Sequence, residues 1–209
     1  MCNINGDAQL KSASVLKAFI MAAFYDRVLT PTSEEKRIVI EEYTEEELNS
    51  FVSKMITISD NEAANTLVTL LGEGDVRKGM DEVNAYLEEN GFTGTSMGRL
   101  FLEQNPSGDN YTTSNDCMRL MESIYQGTCV SEFASAQMYD YLKQQTLTGK
   151  IPSALAGEEA IIANKTGELA GDYGDYVEND IAIVASEDES YVLCILSNDL
   201  LDNNSAVSR

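Results

Sequence analysis

The chain has no histidine in its 209 residues. Without an imidazole a Ser-His-Asp triad is excluded, and any activated serine must hand its proton to an amine or a carboxylate. A zinc site loses its usual nitrogen ligand as well, and Cys2, Cys117, Cys129 and Cys194 show no C-x-x-C spacing. No metal, no cofactor and no necessary disulfide are therefore expected, and Cys194, inside the apolar run Tyr191–Leu196, reads as a small buried residue. Basic residues are scarce: 14 Lys plus Arg stand against 35 acidic residues, a net charge of −21. A field of that sign repels nucleic acid and anionic lipid, so phosphate-backbone partners are ruled out. With only three prolines and 43% hydrophobic residues, the composition is globular, enough for one domain or two small ones. The longest apolar run, Ala18 to Tyr25, is far short of the ~20 residues that a membrane span requires.

What is present is a set of three short signatures in fixed order: Ser14-Val15-Leu16-Lys17, Ser59-Asp60-Asn61 and Lys165-Thr166-Gly167. One Ser-x-x-Lys pair carries little, because Ser33-Glu34-Glu35-Lys36 matches it too and about 0.7 such matches are expected by chance. All three together are expected roughly 0.002 times, so the set is the signal. Singly, each has an ordinary structural explanation: Ser14 as a helix cap, Lys17 reaching out to solvent, Ser59-Asp60-Asn61 as another cap, Lys165-Thr166-Gly167 as a turn before a strand. Jointly these do not explain why Lys17 stands in the most apolar helix of the chain. Desolvation at such a site lowers an amine toward the range in which it acts as a base.

The pattern along the chain predicts a turn at Asn5-Gly6-Asp7 beside an N-terminal strand, then a central helix from about Ser14 to Leu29, apolar nearly all round. Thr44-Glu45-Glu46-Glu47 is a capping box for a helix that carries Leu48, Phe51, Val52, Met55 and Ile56 on one face. Further helices are expected from Asn61 to the stop at Gly72, over 75–89, from a cap at Thr112, Thr113 or Ser114 to Gln126, and over 132–143. After Gly149 the texture becomes β-rich, with strands within 160–167, 180–185 and 190–196. The expectation is an α/β protein of α+β type: an antiparallel sheet built from both chain ends (1–26 plus 148–209), a helical region (27–147) inserted between them, and a cleft at their junction.

With these motifs, and with Ser12-Ala-Ser-Val-Leu-Lys-Ala-Phe-Ile-Met-Ala-Ala23, Ser59-Asp-Asn-Glu-Ala-Ala-Asn65 and Asn164-Lys-Thr-Gly-Glu-Leu169, the chain resembles the class A β-lactamase and penicillin-binding-protein family of serine hydrolases over nearly its whole length. The resemblance implies that Ser14 attacks a lactam or peptide carbonyl and becomes an acyl ester. It makes Lys17 the base or proton relay and gives Ser59 the transfer of a proton to the departing nitrogen, with Asn61 and Lys17 positioning each other. Lys165 and Thr166 would hold the substrate carboxylate, Gly167 would let the strand lie close to the ligand, and the N–H groups of Ser14 and Glu168 would form the oxyanion hole. The substrate would be a β-lactam or a peptidoglycan peptide. The family is exported or held at the cell envelope, although no signal segment is visible ahead of Ser14.

Three departures bear on function. Class A enzymes carry a Glu-x-x-Leu-Asn loop whose glutamate directs the deacylating water, whereas the corresponding Arg99–Asp109 segment is short and offers only Glu103. Arg99 and Asp109 are placed to pair across its neck, with Asn65 pinning it. The usual terminal helices are missing, Ser205–Arg209 resembling only the first turn of the closing one, so a bare sheet face would favour a homodimer. The readings left open are a β-lactamase-type hydrolase, a penicillin binder or peptidoglycan peptidase with slow deacylation, and a non-catalytic cell-wall or partner-binding module.

Overall fold

The structure is a computed structural model that describes residues 2–103, 108–170 and 176–200. Strand β1 (Leu10–Lys11) leads into a 3-10 turn (Ala13–Val15), helix α1 (Leu16–Phe24) and a π turn (Tyr25–Leu29). Helices α2 (Glu45–Thr57), α3 (Asn61–Leu71) and α4 (Val76–Glu89) follow. Beyond the short strand β2 (Tyr111–Thr112) come α5 (Ser114–Tyr125), α6 (Glu132–Lys143) and the brief α7 (Ile151–Ala154). Strands β3 (Ile161–Leu169), β4 (Val177–Ala185) and β5 (Ser190–Ile195) form an antiparallel sheet in that order.

Local chemistry sets the helix starts. Thr44 and Glu47 form the capping box: the Thr44 Oγ1 accepts from the Glu47 N–H at 3.3 Å, and Glu47 Oε2 accepts from the Thr44 N–H at 2.8 Å. Asp60, Asp75, Thr113 and Ser131 cap α3 to α6 in the same way, satisfying N–H groups that a helix end leaves without partners.

Every residue of α1 is buried, Lys17 included. Phe19, Ile20, Met21 and Phe24 meet Val52 and Met55 of α2, Leu67 of α3, Val83 of α4, Leu120 of α5 and the inward side chains Ile181 and Ile183 of β4 in one core. Each large side chain so buried contributes about 1.5–3 kcal/mol, and this central position explains the apolar circumference read from the sequence. A smaller cluster of Ile151, Ala182 and Val184 lies on the other face of the sheet, with Ile162, Leu193 and Ile195 partly exposed around it.

The α+β class holds, with one difference in the sheet. The N-terminal strand does not join β3, β4 and β5; Leu10 pairs with Thr112 and Lys11 with Tyr111, so among the described residues the larger sheet comes from the C-terminal part alone. Two residues make too short a ladder to compete for a sheet edge. The segment is tied to the sheet instead by Asn179 of β4, whose Nδ2 donates to the carbonyls of Lys11 at 2.9 Å and Ser12 at 3.2 Å. The expected helix from Ser14 to Leu29 is likewise divided into the 3-10 turn, α1 and the π turn. The segment Ser205–Arg209 lies outside the described residues.

Candidate active site

Ser14 sits half-buried in the 3-10 turn just ahead of α1, after Ala13, whose φ of 46° lies in the left-handed region. A non-glycine residue there is strained by about 1–2 kcal/mol, a cost tolerated where surrounding structure fixes the turn. The fixing element is β3. A Cβ placed on Gly167 would stand 2.8 Å from the Ser12 carbonyl oxygen, 3.0 Å from the Val15 nitrogen and 3.1 Å from the Ser14 nitrogen. Only glycine lets the strand approach this closely. The sequence reading gave Gly167 to ligand approach, whereas its nearest neighbour is the turn that carries Ser14.

Three residues on, in the first turn of α1, stands Lys17. Its Nζ donates to the Ser59 carbonyl at 2.6 Å, to Asn61 Oδ1 at 2.7 Å and more weakly to Ser59 Oγ at 3.3 Å. These acceptors are formally neutral, so they orient the amine without compensating a charge. Burial lowers the Lys17 amine from 10.5 to about 7, the charge of Asp60 offsetting part of the effect. The amine is thus poised between its two protonation states near neutral pH.

Ser59 joins the second and third signatures. Its φ of 58° is again left-handed, which turns its carbonyl toward Lys17 at the end of α2 just before Asp60 opens α3. Its hydroxyl also accepts from Lys165 Nζ at 2.9 Å, so one oxygen lies between two amines from distant parts of the chain. Lys165 donates in addition to the Thr166 carbonyl at 2.8 Å. Burial, and then the nearby Lys17, push the Lys165 amine well below its ordinary range against the opposing pull of Asp180 and Glu168. Two buried amines sharing one hydroxyl do not both hold a proton readily.

Farther along β3, Thr166 is buried and Glu168 is exposed. Both line a groove of about 420 Å³ together with Thr146, Thr148, Lys150 and Glu178. Lys150, which the sequence reading did not single out, bonds Glu168 at 2.8 Å and also Glu178. The two glutamates are direct cross-strand partners, and like charges in that relation repel unless a cation stands between them. That strand register was the missing signal. Behind the site, burial raises the Asp180 carboxyl to about 6, although Asn164 at 2.9 Å and the Ile151 N–H at 3.0 Å favour its charged form.

The stretch 97–103 is tied to α3 beside Lys17. Asn65 of α3 holds the backbone of Phe101 at both ends, donating to its carbonyl at 3.0 Å and accepting from its N–H at 2.9 Å. Arg99 and Asp109 pair across the neck of the loop at 2.8 Å. This construction puts the Phe101 ring over Lys17, 4.7 Å from Nζ to the ring centroid, a residue the sequence reading passed over. Glu103 lies exposed, its carbonyl accepting from Arg99 at 3.2 Å. The structure thus brings Lys17, Ser59, Asn61 and Lys165 into one hydrogen-bonded group, sets the Ser14 turn against Gly167, and leaves Glu103 at the surface.

The α+β fold thus sets the serine turn against β3 and gathers two buried lysines around one shared hydroxyl. The chain belongs to the beta-lactamase enzyme family, whose pattern it matches over residues 1–208. Among solved structures it is similar to a β-lactamase from Sphaerobacter thermophilus, at 25% identity over 96% of this chain and 79% of that one, with a TM-score of 0.75. PBP-A is as near, at 25% identity over 98% of this chain and 78% of that one, also with a TM-score of 0.75. A class A β-lactamase representative from Bacteroides cellulosilyticus shares the fold at 16% identity, with a TM-score of 0.78 over 98% of this chain and 81% of that one. No curated sequence matches the chain.

Proposed function

We propose that the protein opens β-lactam amides, and by the same chemistry the peptide amides they resemble, through an acyl ester on Ser14. The observation that carries the reading is the Ser59 hydroxyl held between Lys17 and Lys165, beside the turn that presents Ser14. In this scheme neutral Lys17 takes the Ser14 proton as Oγ bonds to the carbonyl carbon. The C–N bond then breaks, and the proton travels through Ser59 to the departing nitrogen. The Ser14 and Glu168 N–H groups stabilise the oxyanion.

Lys165 and Thr166 take the substrate carboxylate. In the empty site Lys165 is held below its usual range by burial and by Lys17; an incoming carboxylate supplies the counter-charge that keeps its ammonium form. The cleft is assigned to the junction of the helical part, 27–147, with the sheet. The relatives' names support the choice of substrate, since they include both β-lactamases and PBP-A. A homodimer through the partly covered sheet face belongs to the same proposal.

The test is a chromogenic cephalosporin assay paired with intact mass spectrometry after addition of penicillin. Drug consumption or a covalent adduct is expected, and both should vanish in Ser14→Ala, with at least about a 10⁴-fold loss of acylation rate. Equal reactivity of Ser14→Ala would remove Ser14 from the mechanism.

A further inference from the structure

Thr166 belongs to two places at once. It follows Lys165 in the third signature, and it lines the groove of about 420 Å³ that also takes in Glu168, Thr146 and Thr148. Side chains along a strand alternate between the faces of a sheet, so Thr166 and Glu168 of β3 share one face, roughly 6.5 Å apart along the strand. Glu178 stands directly opposite Glu168 on β4 and lines the same groove. A ligand group held beside Thr166 therefore has a further subsite one strand step away.

The charges of that subsite lie in layers. Lys150 is 4% exposed and bonds Glu168 Oε1 at 2.8 Å and also Glu178 Oε2. Burial lowers its amine, but hydrogen bonds and charge from the two glutamates outweigh that, so Lys150 stays an ammonium. Two carboxylates against one ammonium leave the groove with negative charge in excess. The Glu168 side chain is 61% exposed while that of Lys150 is 5% exposed, so a visitor meets the carboxylate and the cation lies beneath it. Among the described residues Glu168 Oε2 has no hydrogen-bond donor. An entering anion is repelled by Glu168 and reaches Lys150 only by displacing a glutamate, whereas an entering cation finds an accepting oxygen in a groove where attraction is stronger than in open water. The net charge of −21 acts in the same direction.

Resting on the reading of Lys165 and Thr166 as the holders of the substrate carboxylate, we propose that this groove is a cation subsite, with the side chains of Glu168 and Glu178 determining specificity: it selects substrates that carry a positively charged nitrogen on the arm next to that carboxylate. The preferred substrate is thus zwitterionic at this end, its carboxylate on Lys165 and Thr166 and its cation on Glu168. A second carboxylate on the same arm is disfavoured. No bond forms or breaks in the subsite; it acts by holding the arm while the ester forms on Ser14.

Cephalothin and cephaloridine test this, because they share one ring system and one acyl side chain and differ only in the group on the C3 methylene, acetoxy in the first and pyridinium in the second. Ring opening of each drug by the full chain is followed by ultraviolet absorbance. The ratio of the two kcat/KM values, divided by the ratio of the uncatalysed hydrolysis rates, removes intrinsic reactivity. This corrected ratio should favour the pyridinium drug by about three- to tenfold at low salt, shrink as salt rises, and fall by at least about threefold in Glu168→Gln and in Glu178→Gln. A merely structural role for the glutamates would slow both drugs alike and leave the ratio in place. The proposal is overturned by a corrected wild-type ratio near one, or by a ratio that both variants, melting cooperatively, leave unchanged. Should neither variant fold, the salt dependence of the wild-type ratio decides. If neither drug is opened and no adduct forms, the assignment of Ser14 fails, and isothermal titration of the wild type with the two drugs judges the groove separately: cephaloridine binding at least about threefold tighter supports the subsite, and equal affinities overturn it.

Discussion

Lys17 and Lys150 are both withdrawn from water, and their amines move in opposite directions. Around Lys17 the acceptors are a carbonyl, an amide oxygen and a hydroxyl, so burial prevails and the amine falls to about 7. Around Lys150 burial pulls the same way, but hydrogen bonds and charge from Glu168 and Glu178 outweigh it and hold the amine above its ordinary value. The contrast teaches that burial alone does not create a base. What matters is whether the partners are dipoles or charges.

The sharpest way to break the comparison is to remove the neutral amine. Lys17→Met is expected to slow acylation by about 10²–10⁴-fold, measured by stopped-flow with a chromogenic cephalosporin. The pH profile should carry the same signature. Since the working form of Lys17 is unprotonated and its pKa is depressed to about 7, acylation should fall roughly tenfold per unit below that value and level off above it. A rate that stays flat down to the carboxylate range assigns the base to another group. The sign for stability is separate: the unfolded chain holds the Lys17 proton up to its ordinary 10.5, so this residue makes folding less costly as pH rises from about 7 toward 10.5.

Gly167→Ala probes the contact that fixes the serine turn. Its Cβ would meet the backbone of Ser12, Ser14 and Val15 at 2.8–3.1 Å, so a melting experiment should report a loss of about 1–3 kcal/mol. Acylation should fall by more than that loss alone would suggest, because the displaced atoms are those that carry Ser14. A variant with wild-type melting and rate would show that the close approach is not needed.

The smallest expected effect is at the charged lysine. Lys150→Met leaves Glu168 and Glu178 facing each other and should cost about 1–2 kcal/mol near neutral pH, a penalty that shrinks in acid as the carboxylates gain protons. Thermal melts of wild type and variant across pH measure both parts. A pH-independent difference would mean that only packing was lost.

Much of the fold was legible in particular residues. Thr44 and Glu47 announced their capping box, and Arg99, Asp109 and Asn65 pinned the loop as their types and places suggested. The apolar circumference of α1 read directly as a buried central helix. The N-terminal strand was misplaced because two residues state that they are extended but not with whom they pair. Within the candidate site, the three motifs named Ser14, Lys17, Ser59, Asn61 and Lys165, whereas Phe101 and Lys150 were missed. Neither belongs to a short pattern; one depends on how Asn65 holds a loop, the other on which residues of β3 and β4 stand opposite.

The order of residues alone therefore excluded a Ser-His-Asp triad and determined where most of the helices and strands would form, since caps, periodicity and turn residues act over a few positions. Tertiary structure decided the state of each lysine and what covers it. Those properties depend on dielectric and on partners tens of residues away along the chain, and distances of that kind exist only once the chain has folded.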